Sequence, residues 1–184
     1  ILYTGDIKML ETKLVRGANI DVKNLDVMIS ESTYSYKNHP KRSELEDKIR
    51  EIAQETVYGG GFLVLPSFAV GRTQEMLMIL HDLGFPMTVD GMGIEVTEAM
   101  LNNPSSLRDE GQLRKAFSRA RKVLTNKDRK AALDKPGIII CTAGMLNGGP
   151  VSHYIKKLHK DDEVLAPDCL RSLVKIGGDE VVDA

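Results

Sequence analysis

The stretch Leu63-Val64-Leu65-Pro66-Ser67-Phe68-Ala69-Val70-Gly71-Arg72-Thr73-Gln74-Glu75 decides the fold. Phe62 to Leu65 is a short apolar run of strand formers, of the kind a sheet buries on both faces. Pro66 has no N–H to give to a ladder and is expected to end the strand. Gly71 permits a tight turn, after which Met76, Leu77, Leu80 and Leu83 recur at helical spacing. The unit is strand, turn, helix, with Ser67, Arg72 and Gln74 at the carboxyl end of the strand. Open α/β sheets present their ligands there. Unpaired amides at the helix start, together with a guanidinium, suit an anion such as phosphate. Arg72 and Gln74 can equally cap and brace the turn, and spacing alone leaves both readings open.

Outward from this unit the same grammar repeats. Gly137-Ile138-Ile139-Ile140-Cys141 is the clearest buried strand, and it runs into the glycine-rich turn Thr142 to Gly149 with Pro150 suited to a first helical turn. Pro86 to Val89 reads as a brief strand before the turn Asp90-Gly91-Met92-Gly93 and a helix Ile94 to Leu101. Upstream, Leu45, Ile49, Ile52, Ala53 and Val57 mark the buried face of a helix that ends at Gly59-Gly60-Gly61. Ser43 and Glu46 have the spacing of its capping box. Leu107 to Val123 reads as helical at least in part and carries Arg108, Arg114, Lys115, Arg119, Arg121 and Lys122, followed by Lys127, Arg129 and Lys130. Such a run either tracks phosphates or is a solvated helix face. Strands alternating with helices across short turns imply a mostly parallel sheet covered on both sides.

The first segment adds two acidic strand ends. Ile1-Leu2-Tyr3 is expected to be a strand delivered into Thr4-Gly5-Asp6, and Leu25 to Ser30 a second buried strand ending on Glu31-Ser32-Thr33-Tyr34. Asp6 and Glu31 would then leave neighbouring strands on one edge of a sheet. Paired carboxylates there suit metal binding or proton transfer, as well as plain turn-making. The following loop, Ser35 to Arg42, is polar and basic, with His39 among Lys37, Lys41 and Arg42 and with Tyr34 and Tyr36 offering faces for stacking.

Composition narrows the class. With 25 basic and 26 acidic side chains the chain has no overall basic excess, so any nucleic-acid contact rests on a local patch. Cys141 and Cys169 stand far apart with no CxxC, which fits a reducing compartment better than a disulfide scaffold. No long apolar span or signal peptide is visible, and a soluble, cytoplasmic protein without membrane contact is expected. Starting at Ile1 inside a strand, the chain reads as a fragment.

The strings YTGD at Tyr3 to Asp6, ESTY at Glu31 to Tyr34, LPSFAVGRTQE at Leu65 to Glu75 and TAGMLNGGP at Thr142 to Pro150 resemble, in order and spacing, the β-CASP nucleases of the metallo-β-lactamase fold. That family includes the cleavage endonuclease of pre-mRNA 3′-end processing, ribonuclease J and archaeal relatives. The resemblance implies an α/β chain: a Rossmann-like β-CASP domain, built on a mostly parallel three-layer sheet, with partial strands of a metallo-β-lactamase αββα domain. Residues 1–34 would belong to the metallo-β-lactamase domain and 35–160 to the β-CASP domain, with 161–184 an unassigned tail. It also implies a zinc-dependent ribonuclease of the RNA-processing or decay type. Asp6 would bridge two zinc ions, and Glu31 would act in catalysis by orienting a histidine that protonates the leaving oxygen. His39, Ser67, Arg72 and Gly144 would line the RNA path. The family's H-x-H-x-D-H cluster is absent here, so the fragment is expected to hold no zinc pair and to be inactive by itself. Its partners would be RNA and the rest of its own metallo-β-lactamase part, with a homodimer left open. The competing readings are an inactive RNA-binding or scaffolding subunit of the same fold, and a DNA-repair nuclease of the superfamily.

Overall fold

The computed structural model describes residues 1–36, 38–142 and 148–158. Gly144 and the tail beyond Leu158 lie outside the described residues. The elements, in chain order, are β1 (Leu2–Tyr3), β2 (Met28–Ile29), α1 (Arg42–Tyr58), β3 (Phe62–Ser67), α2 (Arg72–Leu80), β4 (Met87–Asp90), α3 (Gly93–Asn102), α4 (Glu110–Arg119), β5 (Arg121–Val123), α5 (Asn126–Ala131), β6 (Gly137–Thr142) and α6 (Pro150–Leu158). Two sheets result. One pairs β1 with β2; the other has four strands in the order β3-β6-β4-β5, every pairing parallel.

Strand β6 shows why the second sheet is a middle layer. Its side chains alternate between two apolar clusters: Ile138 and Ile140 face one, Ile139 and Cys141 the other, and all four are buried. The first cluster takes Leu63 and Leu65 from β3, Val89 from β4, and side chains of α1, α2, α3 and α4. The second takes Val151, Tyr154 and Leu158 of α6. Helices therefore cover both faces, as parallel sheets require. Helix α2 is enclosed on all sides, with Thr73 through Leu80 all buried, and that burial fixes the strand-turn-helix unit as the centre of the molecule.

Several details differ from the sequence expectations, each for a physical reason. Strand β3 does not stop at Pro66 but continues to Ser67. It is an edge strand, paired only with β6, so the missing N–H points where no ladder partner is needed. Only one of its faces is fully buried; Phe62 and Val64 are half-covered. Ser43 and Glu46 do not cap α1, which begins at Arg42; Glu46 instead pairs with Lys13 at 3.2 Å and with Arg42 at 2.8 Å. The stretch Leu107 to Val123 is helical in part, as expected, over Glu110–Arg119, while Arg121–Val123 joins the sheet beside β4. Strands β1 and β2 pair as expected but are two residues each and not buried: Tyr3 is 74% and Met28 60% exposed.

The basic run of the second half is mostly consumed within the fold. Arg108 pairs with Glu11, Arg114 with Glu110, and Arg129 with Asp90; Arg121 donates to Ala131 O and Lys122 sits over the Phe117 ring. Of the two readings, the phosphate-tracking stripe loses these side chains to internal partners. No described helix is long and apolar enough to cross a membrane.

Candidate functional site

Neighbouring β3 and β6 send their following helices to opposite faces of the sheet, α2 into the first cluster and α6 into the second. A crevice forms at such a switch point, outside the carboxyl ends of the two strands. Ser67 and Thr142 are register partners at that end, so the turns after both strands leave from one edge. Gly144 falls in the undescribed part of the second turn.

The first turn is braced from within. Gly71 has φ 82°, a left-handed conformation that suits glycine. Gln74 is buried; its Oε1 accepts from Gly71 N at 2.7 Å while its Nε2 donates to Ala69 O at 3.0 Å and to Thr97 Oγ1 at 2.8 Å. The amides of Arg72, Thr73 and Glu75 donate to Val70 O, Phe68 O and Gly71 O. These amides are spent on the turn, which removes the open amide cradle expected for an anion. Ser67 is also turned inward, 1% exposed, with its hydroxyl donating to Leu65 O at 3.3 Å. Gln74 and Ser67 hold the turn; Arg72 is the member that reaches a cleft.

Around Arg72 the sequence-distant loops converge. The guanidinium is half-buried, and desolvation, then the nearby Arg42, press its pKa below the usual arginine range, while Glu75 and Tyr34 act to hold it up. Tyr34 also meets His39 edge-on, with ring centroids 4.4 Å apart. The structure thus gathers Arg72, Tyr34 and His39 into one neighbourhood. The two acidic tips are brought together on the other sheet: Tyr3 and Ile29 are parallel register partners, and Thr4 N donates to Ile29 O at 3.0 Å. Thr4 Oγ1 donates to Ser30 Oγ at 3.3 Å, tying the two tips just beyond the ladder. Asp6 and Glu31 therefore leave neighbouring strand ends on the same edge, both exposed. Glu31 Oε2 accepts from Thr33 N at 2.9 Å, and that hydrogen bond holds its carboxyl below the ordinary glutamate range, so it stays ionised.

Among the described residues no group of three or more His, Cys, Asp or Glu side chains can hold a metal ion. The described side chains accordingly do not fit a complete two-zinc centre.

Three side chains went unassigned in the sequence. Glu75 splits its carboxylate, Oε1 accepting from Leu14 N at 2.7 Å and Oε2 from Arg42 Nη2. Asp90, at the end of β4, takes both Nε (2.6 Å) and Nη2 (2.8 Å) of Arg129 and the Tyr154 hydroxyl at 2.8 Å. Burial and the Asp90 carboxylate raise the Tyr154 pKa well above the usual phenol range, and the same carboxylate raises that of the Arg129 guanidinium. Burial, with a lesser push from Asp90, moves the neighbouring Cys141 thiol up to about 12, so this cysteine is a packing group rather than a nucleophile. Lys8 reaches the same cleft as Arg72.

Comparison with known proteins agrees with this architecture. The Beta-Casp domain model matches residues 73–165, from the start of α2 to beyond α6. This chain belongs to the β-CASP family. It is 40% identical over 164 residues to the probable RNase MJ4 of Methanocaldococcus jannaschii, a match covering 85% of this chain and 38% of that protein. It is 39% identical over 166 residues to RNase aCSPSF2 of Saccharolobus solfataricus, covering 89% of this chain and 34% of the relative. With the transcription termination factor FttA of Pyrococcus abyssi it shares 33% over 181 residues, 88% of this chain and 28% of that protein. The β-CASP chain thus spans roughly a third of the length of these relatives.

Proposed function

We propose that the protein carrying this β-CASP chain hydrolyses RNA phosphodiester bonds in RNA processing, 3′-end formation or decay. The observation that carries this reading is the placement of Asp6 and Glu31 on adjoining parallel strand tips, within a family two of whose three compared members are named RNases. Residues 1–34 are assigned to a second, metallo-β-lactamase domain whose remaining strands cover the exposed apolar side chains of β1 and β2; β-CASP residues 35–160 supply the other wall of the cleft. In this assignment Asp6 contributes one ligand to a zinc pair whose other ligands come from elsewhere in the protein. Bound zinc would supply an activated water at neutral pH and charge stabilisation on the phosphorus oxygens. The residues of this chain have their own tasks. Glu31, kept ionised by the Thr33 amide, holds a proton-donating partner in orientation. Arg72 and His39 orient the strand. The isolated chain should cleave no RNA.

The test is Asp6→Ala in the full-length protein. RNA cleavage should fall by more than roughly 100-fold, while RNA binding stays within about threefold of wild type. Cleavage within about twofold of wild type would remove Asp6 from the site and favour a subunit that binds RNA without cutting it.

A further inference from the structure

Two lengths of chain lead away from the acidic tips. Past Asp6 runs a strap, residues 8–15, whose Lys8, Thr12, Leu14 and Val15 wall one side of the Arg72 cleft. Past Glu31 runs the loop that ends where α1 begins, at Arg42. The strap is a built feature. A side chain on Gly17 would run into Met9 O, so glycine lets the chain fold back, and Ala18 N then donates to Lys8 O at 2.8 Å. Thr12 N donates to Val15 O at 2.8 Å, and Leu14 is buried in the first apolar cluster. Arg108 N donates to Leu14 O at 2.8 Å, and the Arg108 guanidinium to Thr12 O at 2.9 Å.

Glu75 meets both lengths of chain. It lies in the first turn of α2, 8% exposed, and is the one charged side chain in the buried run Thr73 to Leu80. Its Oε1 accepts from Leu14 N of the strap at 2.7 Å, while its Oε2 accepts from Arg42 Nη2 at the head of α1. Glu46 repeats the link one turn into α1, pairing with Arg42 at 2.8 Å and with Lys13 of the strap at 3.2 Å.

Stability is a poor reason for a carboxylate here. Burying a charge costs most of what its partner returns, and an apolar side chain in its place is often neutral or better. What the carboxylate adds is direction. Two oxygens on one enclosed helix fix where the strap and α1 stand relative to each other. At the other end of the same two lengths the tips meet, Thr4 N donating to Ile29 O at 3.0 Å.

We propose that Glu75 is a positioning residue for the Asp6 and Glu31 tips, holding both chains that leave them so that the two carboxylates keep one separation. The proposal rests on the proposed reaction at those tips and adds to it a tie from inside the β-CASP core. Glu75 acts on the tips through Leu14 and Arg42.

The experiment compares full-length wild type with Glu75→Gln, Arg42→Gln and the double variant, by amide hydrogen exchange and by steady-state RNA cleavage. Glutamine keeps the bulk of Glu75 but accepts at one oxygen only, and thermal melting confirms that the variants are folded. Exchange at the Thr4 amide should speed roughly tenfold in Glu75→Gln, and by more than at Ile139 and Ile140 of β6. kcat should fall roughly tenfold with KM within about twofold of wild type, because the reacting groups are displaced while the RNA contacts stay. The double variant should be within about twofold of the worse single one, since both substitutions break the same tie. Unchanged exchange at Thr4 would overturn the proposal and leave Glu75 a core contact. A raised KM with kcat unchanged would overturn it too, making the pair part of the RNA surface. A wild type that cleaves no RNA would overturn the proposed function, while exchange at Thr4, which needs no activity, still decides the tie.

Discussion

The two sheets of this molecule obey the same pairing rule and differ in everything that makes a sheet stable. The four-stranded sheet is covered on both faces and its central strand is buried throughout. The β1–β2 pair is parallel as well, yet it has two residues per strand and leaves Ile1, Tyr3, Met28 and Ile29 exposed. A two-stranded ribbon of that size does not hold itself together in water. What secures it is the strap between its strands, anchored by Leu14 and Glu75 to the larger domain. The difference teaches that the acidic tips are positioned by the β-CASP core they border, not by the sheet they belong to.

The largest effect expected is in the core. Ile140→Ala should cost about 3 kcal/mol in urea denaturation, because it opens a cavity in a fully packed layer. Ile29→Ala should cost less than about 0.5 kcal/mol in this chain, since its side chain is already half in water. Equal losses would erase the contrast between the sheets. A middle-sized effect tests the strap. Leu14→Ala should cost about 2 kcal/mol and speed hydrogen exchange at residues 11–15, and Glu75→Gln should speed exchange at the Leu14 amide; unchanged exchange in both would mean the strap is not the tie.

The smallest effect is a pH dependence confined to the second face. His153 is half-buried, and desolvation, then Arg129 and Lys157, lower its pKa below the histidine value, with Asp90 opposing. A folded-state pKa below the unfolded one means the unfolded chain takes up a proton first as pH falls. The associated stability is therefore complete above about pH 6.5 and is lost as pH drops through the folded value. His153→Gln should flatten that part of the stability profile, and an unchanged profile would clear His153 of any part in it.

Much of the domain could be read along the chain because its signals are local. The unbroken apolar run of β6, the glycine after β3 and the spacing of Ile49, Ile52 and Ala53 are each specified by a few neighbouring residues. The site was less legible. Arg72 was singled out with its amides, but whether those amides were open depended on where the Gln74 side chain turned. Glu75 meets Leu14 across 61 positions, and Asp90 meets Arg129 across 39 and Tyr154 across 64. No periodicity records such pairings. Pro66 misled for a related reason, since a proline ends a central strand but not an edge strand, and strand order is not written locally.

The sequence by itself determined the element types, the parallel α/β class and the four strings that place the chain in its family, because these depend on backbone preferences and side-chain spacing within one or two turns. Tertiary structure alone decided that the strap closes over the Arg72 cleft and that Glu75 and Asp90 serve as hubs. Those outcomes are settled by which carboxylate reaches which cation once the layers have packed, and that is a property of distance in space.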